Sequence, residues 1–339
     1  MPEIYERLLV KIFKQEGVIM IWVIGDIHGM FDPLKRLISM IQAQHSSDNP
    51  AFRVEKLIFI GDYIDFGPSS KEVIDYIMGL PFEKVCMMGN HDDLMLQFID
   101  NSDLLQKFGN VWFRGNGGQR TVSSFLPDVF YRDNEEDITR EEFSLDDVYI
   151  DFFRNLKVTH TEQIGDHKLA FVHAMLNTKL SLEEQLAIRT YDDYHAWRKE
   201  NKVWIENTLL WNRDEPEKRF GDYTLVHGHI PTPKLHGVWK NLHGYDTKLE
   251  MPFLKFEEEN KDDVSFYGES YVKGYTGESD QLISVNVDTG AVYGYRLTAA
   301  GFSEDMLDES HIMVQQVSVG KGYRLSQDFH SYQIRFPGF

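Results

Sequence analysis

Residues 19–29 read Ile19-Met20-Ile21-Trp22-Val23-Ile24-Gly25-Asp26-Ile27-His28-Gly29. An unbroken apolar run rich in β-branched side chains predicts a strand buried on both faces, and it runs straight into Gly25-Asp26. Asp32-Pro33 then predicts a helix start, a capping acid followed by proline at the first helical position. Leu34, Leu37, Ile38 and Ile41 form the apolar face of that helix. The unit repeats: Lys56 to Ile60 is a strand running into Gly61-Asp62, and Lys71 to Met78 is its helix. A third strand, Lys84 to Met88, runs into Gly89-Asn90. Such a succession predicts βαβ units and a sheet with parallel strands. Ligands bind beyond the carboxyl ends of such strands, where all three polar clusters fall.

Those clusters carry chemistry. Asp26 and His28 leave a strand two residues apart, so both side chains can converge on one point. Asp62 ends the second strand and Asn90 the third. Adjacent strands lie about 4.8 Å apart, which puts these oxygen and nitrogen donors within reach of a metal pair. His173 follows the apolar strand Lys168 to Val172, and His229 follows a strand ending at Val226. Carboxylates, imidazoles and an amide suit two divalent ions such as Mn, Fe or Zn. A central carboxylate can bridge ions about 3.5–4 Å apart, the spacing used for in-line displacement at phosphorus. Asp62 is placed to be that bridge.

Elsewhere, residues 1–17 predict an amphipathic helix on the face of Ile4, Leu8, Leu9, Ile12 and Phe13, within an N-terminal extension over 1–19. Met20 is an alternative start. Residues 92–126 read as helical and irregular, and Asp133 to Asp147 as an acidic solvated loop or helix face. Lys157 to Val172 reads as a hairpin turning at Gly165-Asp166, residues 181–211 as helices, Tyr223 to Val226, Leu282 to Val287 and Ala291 to Leu297 as strands. The polar segment 231–280, charged over 255–263, reads as an insertion. With no repeat and no flexible linker, residues 20–339 predict one domain.

Lys and Arg number 35 against 54 Asp and Glu, a formal charge of −19. That argues against a protein gripping nucleic acid over a broad basic surface, but not against a small phosphorylated substrate, because bound cations reverse charge locally. The single cysteine, Cys86, lies in an apolar run and predicts a core thiol; it allows no intramolecular disulfide, which fits a reducing compartment. There is no secretory block and no 18-residue apolar run, so a cytoplasmic location without membrane insertion is expected.

Seven motifs together resemble one family. They are Gly25-Asp26-Ile27-His28-Gly29, Gly61-Asp62-Tyr63-Ile64-Asp65, Gly89-Asn90-His91-Asp92, Phe171-Val172-His173-Ala174, Leu210-Trp211-Asn212-Arg213, His227-Gly228-His229-Ile230-Pro231 and Val287-Asp288-Thr289-Gly290. The pattern is that of the calcineurin-like metallophosphoesterases, and within them the bacterial and phage phosphoprotein phosphatases; symmetrical dinucleoside tetraphosphatases share nearly the same motifs. The resemblance, over roughly 20–297, implies an α/β fold, a two-sheet α/β/β/α sandwich. It implies Asp26, His28 and Asp62 around a first ion and Asp62, Asn90, His173 and His229 around a second. His91 would be the general acid, oriented by Asp65, and Arg213 would bind phosphoryl oxygens bidentately. A metal-bridging water would attack phosphorus directly. His227 fits either a structural or a metal-adjacent role, and the Asn116-Gly117-Gly118 turn could offer backbone N–H groups to the site.

The chain departs from that pattern where the second motif usually continues Asp-Arg-Gly. Here it is Asp65-Phe66-Gly67, and Met88 stands where some relatives have a base. One charged hydrogen bond to phosphate is worth about 1.5–3 kcal/mol, or about ten- to a hundredfold in rate. Phe66 either packs or stacks on a substrate ring; Arg114 and Arg120 are candidate replacements for the charge. The leading expectation is a phosphomonoester hydrolase acting on phosphoprotein or a small phosphoester. The alternatives are a dinucleoside polyphosphate hydrolase and a weakly active phosphate-binding scaffold.

Overall fold

The computed structural model describes residues 18–44, 52–100, 111–127, 139, 142–214, 219–232, 273–276, 282–308, 311–319 and 329–335. The expected N-terminal helix, the segment 255–263 and most of 133–147 and 231–280 lie outside them.

The apolar run at the N-terminal side is β1 (Val18–Ile24), followed by α1 (Phe31–Gln44), β2 (Phe52–Phe59), α2 (Ser70–Gly79), β3 (Glu83–Cys86) and α3 (Asn90–Ile99). β1–β2 and β2–β3 are parallel, as the repeated unit predicts. Asp32 lies inside the first turn of α1, ion-paired with Lys35, and is not its cap. A π-helical turn (Val111–Gly115), α4 (Gly118–Phe125) and α5 (Asp147–Arg154) come next. The hairpin β4 (Thr159–Ile164) and β5 (His167–Val172) turns at Gly165-Asp166 as read from the sequence. After it come α6 (Leu182–Leu186), α7 (Tyr191–Asn201), β6 (Tyr223–His227), β7 (Lys273–Thr276) and β8 (Leu282–Asn286). The strand expected over 291–297 is instead a 3₁₀ turn, Ala291–Tyr293, and β9 (Arg296–Phe302) starts after it. α8 (Glu304–Asp308), β10 (His311–Ser318) and β11 (Phe329–Arg335) complete the order.

One sheet runs β11-β10-β9-β1-β2-β3 and the other β4-β5-β6-β8-β7. Each has a parallel core, β1-β2-β3 or β5-β6-β8, with antiparallel strands beside it. Side chains alternate across a strand, and here both alternations are apolar. Ile21, Val23, Ile58 and Ile60 of the first sheet share a buried cluster with Leu169, Phe171, Val226 and Val285 of the second, so the sheets pack face to face. Met20, Trp22, Ile24, Leu57 and Phe59 point the other way, into a cluster with Leu34, Leu37, Ile38, Ile41, Val73 and Ile77 of α1 and α2. Ala170, Val172, Leu225 and Ile283 likewise share that cluster with Leu186, Tyr191 and Tyr194 of α6 and α7. The layers are helix, sheet, sheet, helix: an α/β/β/α sandwich. Face-to-face packing brings the carboxyl ends of both parallel cores to one edge. Cys86 is half-buried at the end of β3, packed on the core's margin rather than inside it. Among the described residues no helix is long and apolar enough to cross a membrane.

Candidate active site at the sheet edge

Each parallel strand delivers polar side chains to that edge. β1 leads to Asp26 and His28, β2 to Asp62, β3 to Asn90 and His91, β5 to His173, and β6 to His229. All seven are at most partly exposed, and Asp26, Asp62, Asn90 and His173 are 3% exposed or less.

Two histidines are fixed in one tautomer by the backbone. His28 Nδ1 donates to the Ile64 carbonyl at 2.8 Å and His173 Nδ1 to the Ile60 carbonyl at 3.0 Å. In the neutral ring that leaves the lone pair of each Nε2 for a cation, the arrangement usual for imidazoles that ligate a metal. Both Nε2 atoms lie 3.4 Å from the same oxygen, Oδ2 of Asp62. The Asn90 side-chain oxygen lies 2.9 Å from His173 Nε2 and 2.9 Å from His229 Nδ1. Two sets of donor atoms fall within 4.8 Å of one another, His28/Asp62/His91 and Asp26/Asp62/His173. Asp62 belongs to both. Asp26 shares one set with His173, and His91 shares the other with His28.

The site's electrostatics fit a cation. Asp26 is buried, its Oδ1 has no hydrogen-bond partner, and its Oδ2 accepts from the His229 N–H at 3.0 Å. Burial first, then the charges of Asp288 and Asp62, hold Asp26 well above the usual carboxylate range. Burial also pushes Asp62 up, but His173, His91 and His28 outweigh it and hold that carboxylate low. Like charges buried together destabilise one another unless a counter-charge joins them. A Cβ on Gly228 would lie 2.1 Å from Asp26 Oδ1, so only glycine lets that strand end approach the carboxylate. Six described non-glycine residues have positive φ, and five of them are His28, Asp62, Asp65, Phe66 and His229. Left-handed backbone at such residues is costly and clusters at functional sites.

His91 Nδ1 pairs with Asp65 Oδ2 at 2.8 Å, and its backbone N–H donates to Asp62 Oδ1 at 3.0 Å. Burial lowers the affinity of His91 for its proton, but Asp62 and Asp65 outweigh it and the net direction is up. Arg213 is exposed, with Nε donating to His229 Nε2 at 3.4 Å. The Phe66 ring stands edge-on to two imidazoles, 5.4 Å from His28 and 5.1 Å from His91 between centroids, so it packs within the site. Arg114 and Arg120 are both exposed, on the segment 111–127. His227 is buried at the end of β6, its Nδ1 3.2 Å from the Gly228 carbonyl.

Four buried side chains received no role from sequence, although Asp92 and Asp288 stand within the motifs. Asp92 accepts from the N–H groups of Asp62 and Gly89, each at 2.9 Å, and so ties two motifs together; its position three residues after the helix cap is the spacing that could have found it. Asp288 follows β8, the third parallel strand of the second sheet, and is the leading charge acting on Asp26. Trp112 and Thr121 donate to Asp65 from 47 and 56 residues away, which no local spacing announces.

A family model described as calcineurin-like phosphoesterase matches residues 19–271. The chain is 38% identical over 71 residues to a symmetrical bis(5'-nucleosyl)-tetraphosphatase of Legionella pneumophila, 21% of this chain and 23% of that protein. It is 34% identical over 86 residues to the protein of the same name from Pseudomonas putida, 25% and 27% of the two chains. The matched stretch thus spans about a quarter of these relatives' length. Among solved structures, a cold-active protein-tyrosine phosphatase of a psychrophilic Shewanella species aligns over 93% of this chain and 80% of its own, at 14% identity and TM-score 0.49. A metallophosphoesterase from Sphaerobacter thermophilus aligns over 94% and 89%, at 14% identity and TM-score 0.34. At these scores neither likeness bears on function.

Proposed function

The chain belongs to the calcineurin-like phosphoesterase family, and from that premise we propose that it is a dinuclear metal-dependent phosphoesterase in which Asp62 is shared between two divalent ions. The observation that carries this is the pair of backbone-fixed imidazoles, His28 and His173, aimed at one Asp62 oxygen from two different sheets. Asp26 and His28 would join Asp62 on one side, and Asn90, His173 and His229 on the other. Mn, Fe or Zn suits this donor set. When bound, such a pair neutralises phosphoryl charge and makes water a better nucleophile near neutral pH.

The chain's own groups would do the rest. His91 gives a proton from Nε2 to the leaving oxygen as its bond to phosphorus breaks, while Asp65 holds the ring through Nδ1. Arg213 and the Asn90 amide orient the phosphoryl oxygens. Phe66 stands against both His28 and His91, whose own ring centroids are 4.8 Å apart, and would shape the space beside the leaving group.

We place a phosphomonoester, and among these a phosphorylated protein side chain, as the leading substrate. Support comes from Arg213, whose exposed guanidinium can meet a phosphate carried on another protein's surface. A second reading, hydrolysis of dinucleoside polyphosphates, is favoured by the names of the relatives, which match over about a quarter of their length. Product analysis separates the two. Free phosphate from phosphopeptides, with no cleavage of a dinucleoside tetraphosphate, supports the first. Nucleoside diphosphates from the tetraphosphate, with phosphopeptides untouched, replace it with the second.

A further inference from the structure

Asp65 is fully buried, and its carboxylate is held by more than His91. Thr121 Oγ1 donates to Oδ1 at 2.5 Å. The Trp112 indole N–H is shared between Oδ1 at 3.1 Å and Oδ2 at 3.0 Å, and His91 Nδ1 takes Oδ2 at 2.8 Å. Thr121 Oγ1 also accepts the Asp65 backbone N–H at 3.0 Å, so one hydroxyl fixes both the main chain and the side chain of the same residue.

The backbone alone does not set that carboxylate. Asp65 and Phe66 have φ of 72° and 60°, conformations that non-glycine residues hold only when their surroundings enforce them. The surroundings are the segment 111–121. Trp112 is fully buried in the π-helical turn, its ring 5.2 Å from both Phe98 and Phe143. π-Helical turns are rare and recur at functional sites. Gly117, with φ of 83°, seats the start of α4 on the Phe66 backbone: a Cβ there would stand 2.7 Å from Phe66 N and 2.7 Å from its Cδ1. Donors from the π-turn and from α4 therefore reach Asp65 from two directions. Turning the carboxylate about its Cβ–Cγ bond would break the Thr121 and His91 bonds together.

We infer that Trp112 and Thr121 are positioning residues that lock the Asp65 carboxylate, so that its remaining lone pair holds His91 with Nε2 facing the leaving oxygen. This rests on the proton-donor role proposed above for His91. Neither residue touches the reacting atoms. They act through Asp65 on the angle at which His91 meets the substrate. Their removal should matter in proportion to how much the leaving group needs a proton.

The test compares two substrates on the full-length protein with Mn. The para-nitrophenolate of para-nitrophenyl phosphate leaves with little help; phenyl phosphate expels a stronger base. Trp112→Phe keeps the ring among Phe98 and Phe143 and removes only the N–H, while Thr121→Val keeps the shape and removes the hydroxyl. Each is expected to lower kcat on phenyl phosphate by about ten- to a hundredfold, the range of one lost charged hydrogen bond, and on para-nitrophenyl phosphate by at least fivefold less. Thr121→Ser should restore the lost ratio. Equal losses on both substrates, with His91→Ala showing the leaving-group dependence, would overturn the inference and leave the His91 role standing. If His91→Ala shows no such dependence, or the wild type turns over neither substrate, the proton-donor role falls and the inference with it.

Discussion

His173 Nε2 and the Asn90 side-chain oxygen meet at 2.9 Å although 83 residues separate them. One comes from the end of β5 in the second sheet and the other from the start of α3, after β3 of the first. The site is thus a seam between the sheets, and a cation held there ties both layers together. We predict that Mn raises the thermal unfolding midpoint. At a concentration a hundred times its dissociation constant the gain is about 2.7 kcal/mol. Melting with Mn against melting with a chelator checks this, and Asp62→Ala should abolish the difference. Equal midpoints for the wild type would show that no Mn ion joins the sheets at this seam.

His91 shares the neighbourhood of the ligand atoms but spends Nδ1 on Asp65. We predict that His91→Ala retains bound ions and loses about 10²- to 10⁴-fold in kcat, the usual range for a general acid. Metal content by elemental analysis, measured beside turnover, decides it. Loss of the metals themselves would make His91 a ligand.

Gly117 has φ of 83° and no room for a Cβ against Phe66. Gly117→Ala should cost about 1–3 kcal/mol in stability, from strain at a left-handed position and displacement of the Phe66 ring. Chemical denaturation gives the magnitude. A change under about 0.5 kcal/mol would show that the Phe66 turn tolerates movement of α4.

Burial first, then the neighbouring imidazoles His91 and His173, lowers His28 from 6.5 to about 4 against the opposing pull of Asp62. In the metal-free protein the unfolded chain takes up a proton on this group near pH 6.5, while the folded chain resists until near pH 4. The contribution is therefore fully present above pH 6.5 and lost as pH falls through that window, by about 3 kcal/mol in all. Comparing denaturation of wild type and His28→Gln between pH 7 and 4, without metal, isolates it. The wild type should lose more stability than the variant; parallel curves would contradict the assignment.

The first sheet was legible because its strands are covered on both faces and read as apolar runs that end abruptly in Gly-Asp or Gly-Asn. The same abrupt endings marked Asp26, Asp62 and Asn90. The 3₁₀ turn at Ala291–Tyr293 was misread as strand because its composition is apolar, while Gly290 and Gly294, with φ of 75° and 83°, bend the backbone on either side. β10 and β11 went unread, and β7 lay inside what read as a polar insertion; edge and near-edge strands in mixed sheets lack the strand-to-glycine signature. Asp65 could be named from its motif, but Trp112 and Thr121 could not. Their bond to it closes loops of 47 and 56 residues, and sequence spacing carries no trace of such contacts.

Two ions sharing Asp62 between backbone-fixed imidazoles, as proposed, would make hydrolysis depend on divalent ions. The direct measurement is release of para-nitrophenol from para-nitrophenyl phosphate by chelator-stripped protein, with Mn, Fe, Zn, Co or Ni added back one at a time. No turnover is expected in chelator, and at least one of these ions should restore it in the wild type but none in Asp62→Ala. Turnover that persists in chelator, or that no ion restores, would contradict that dependence.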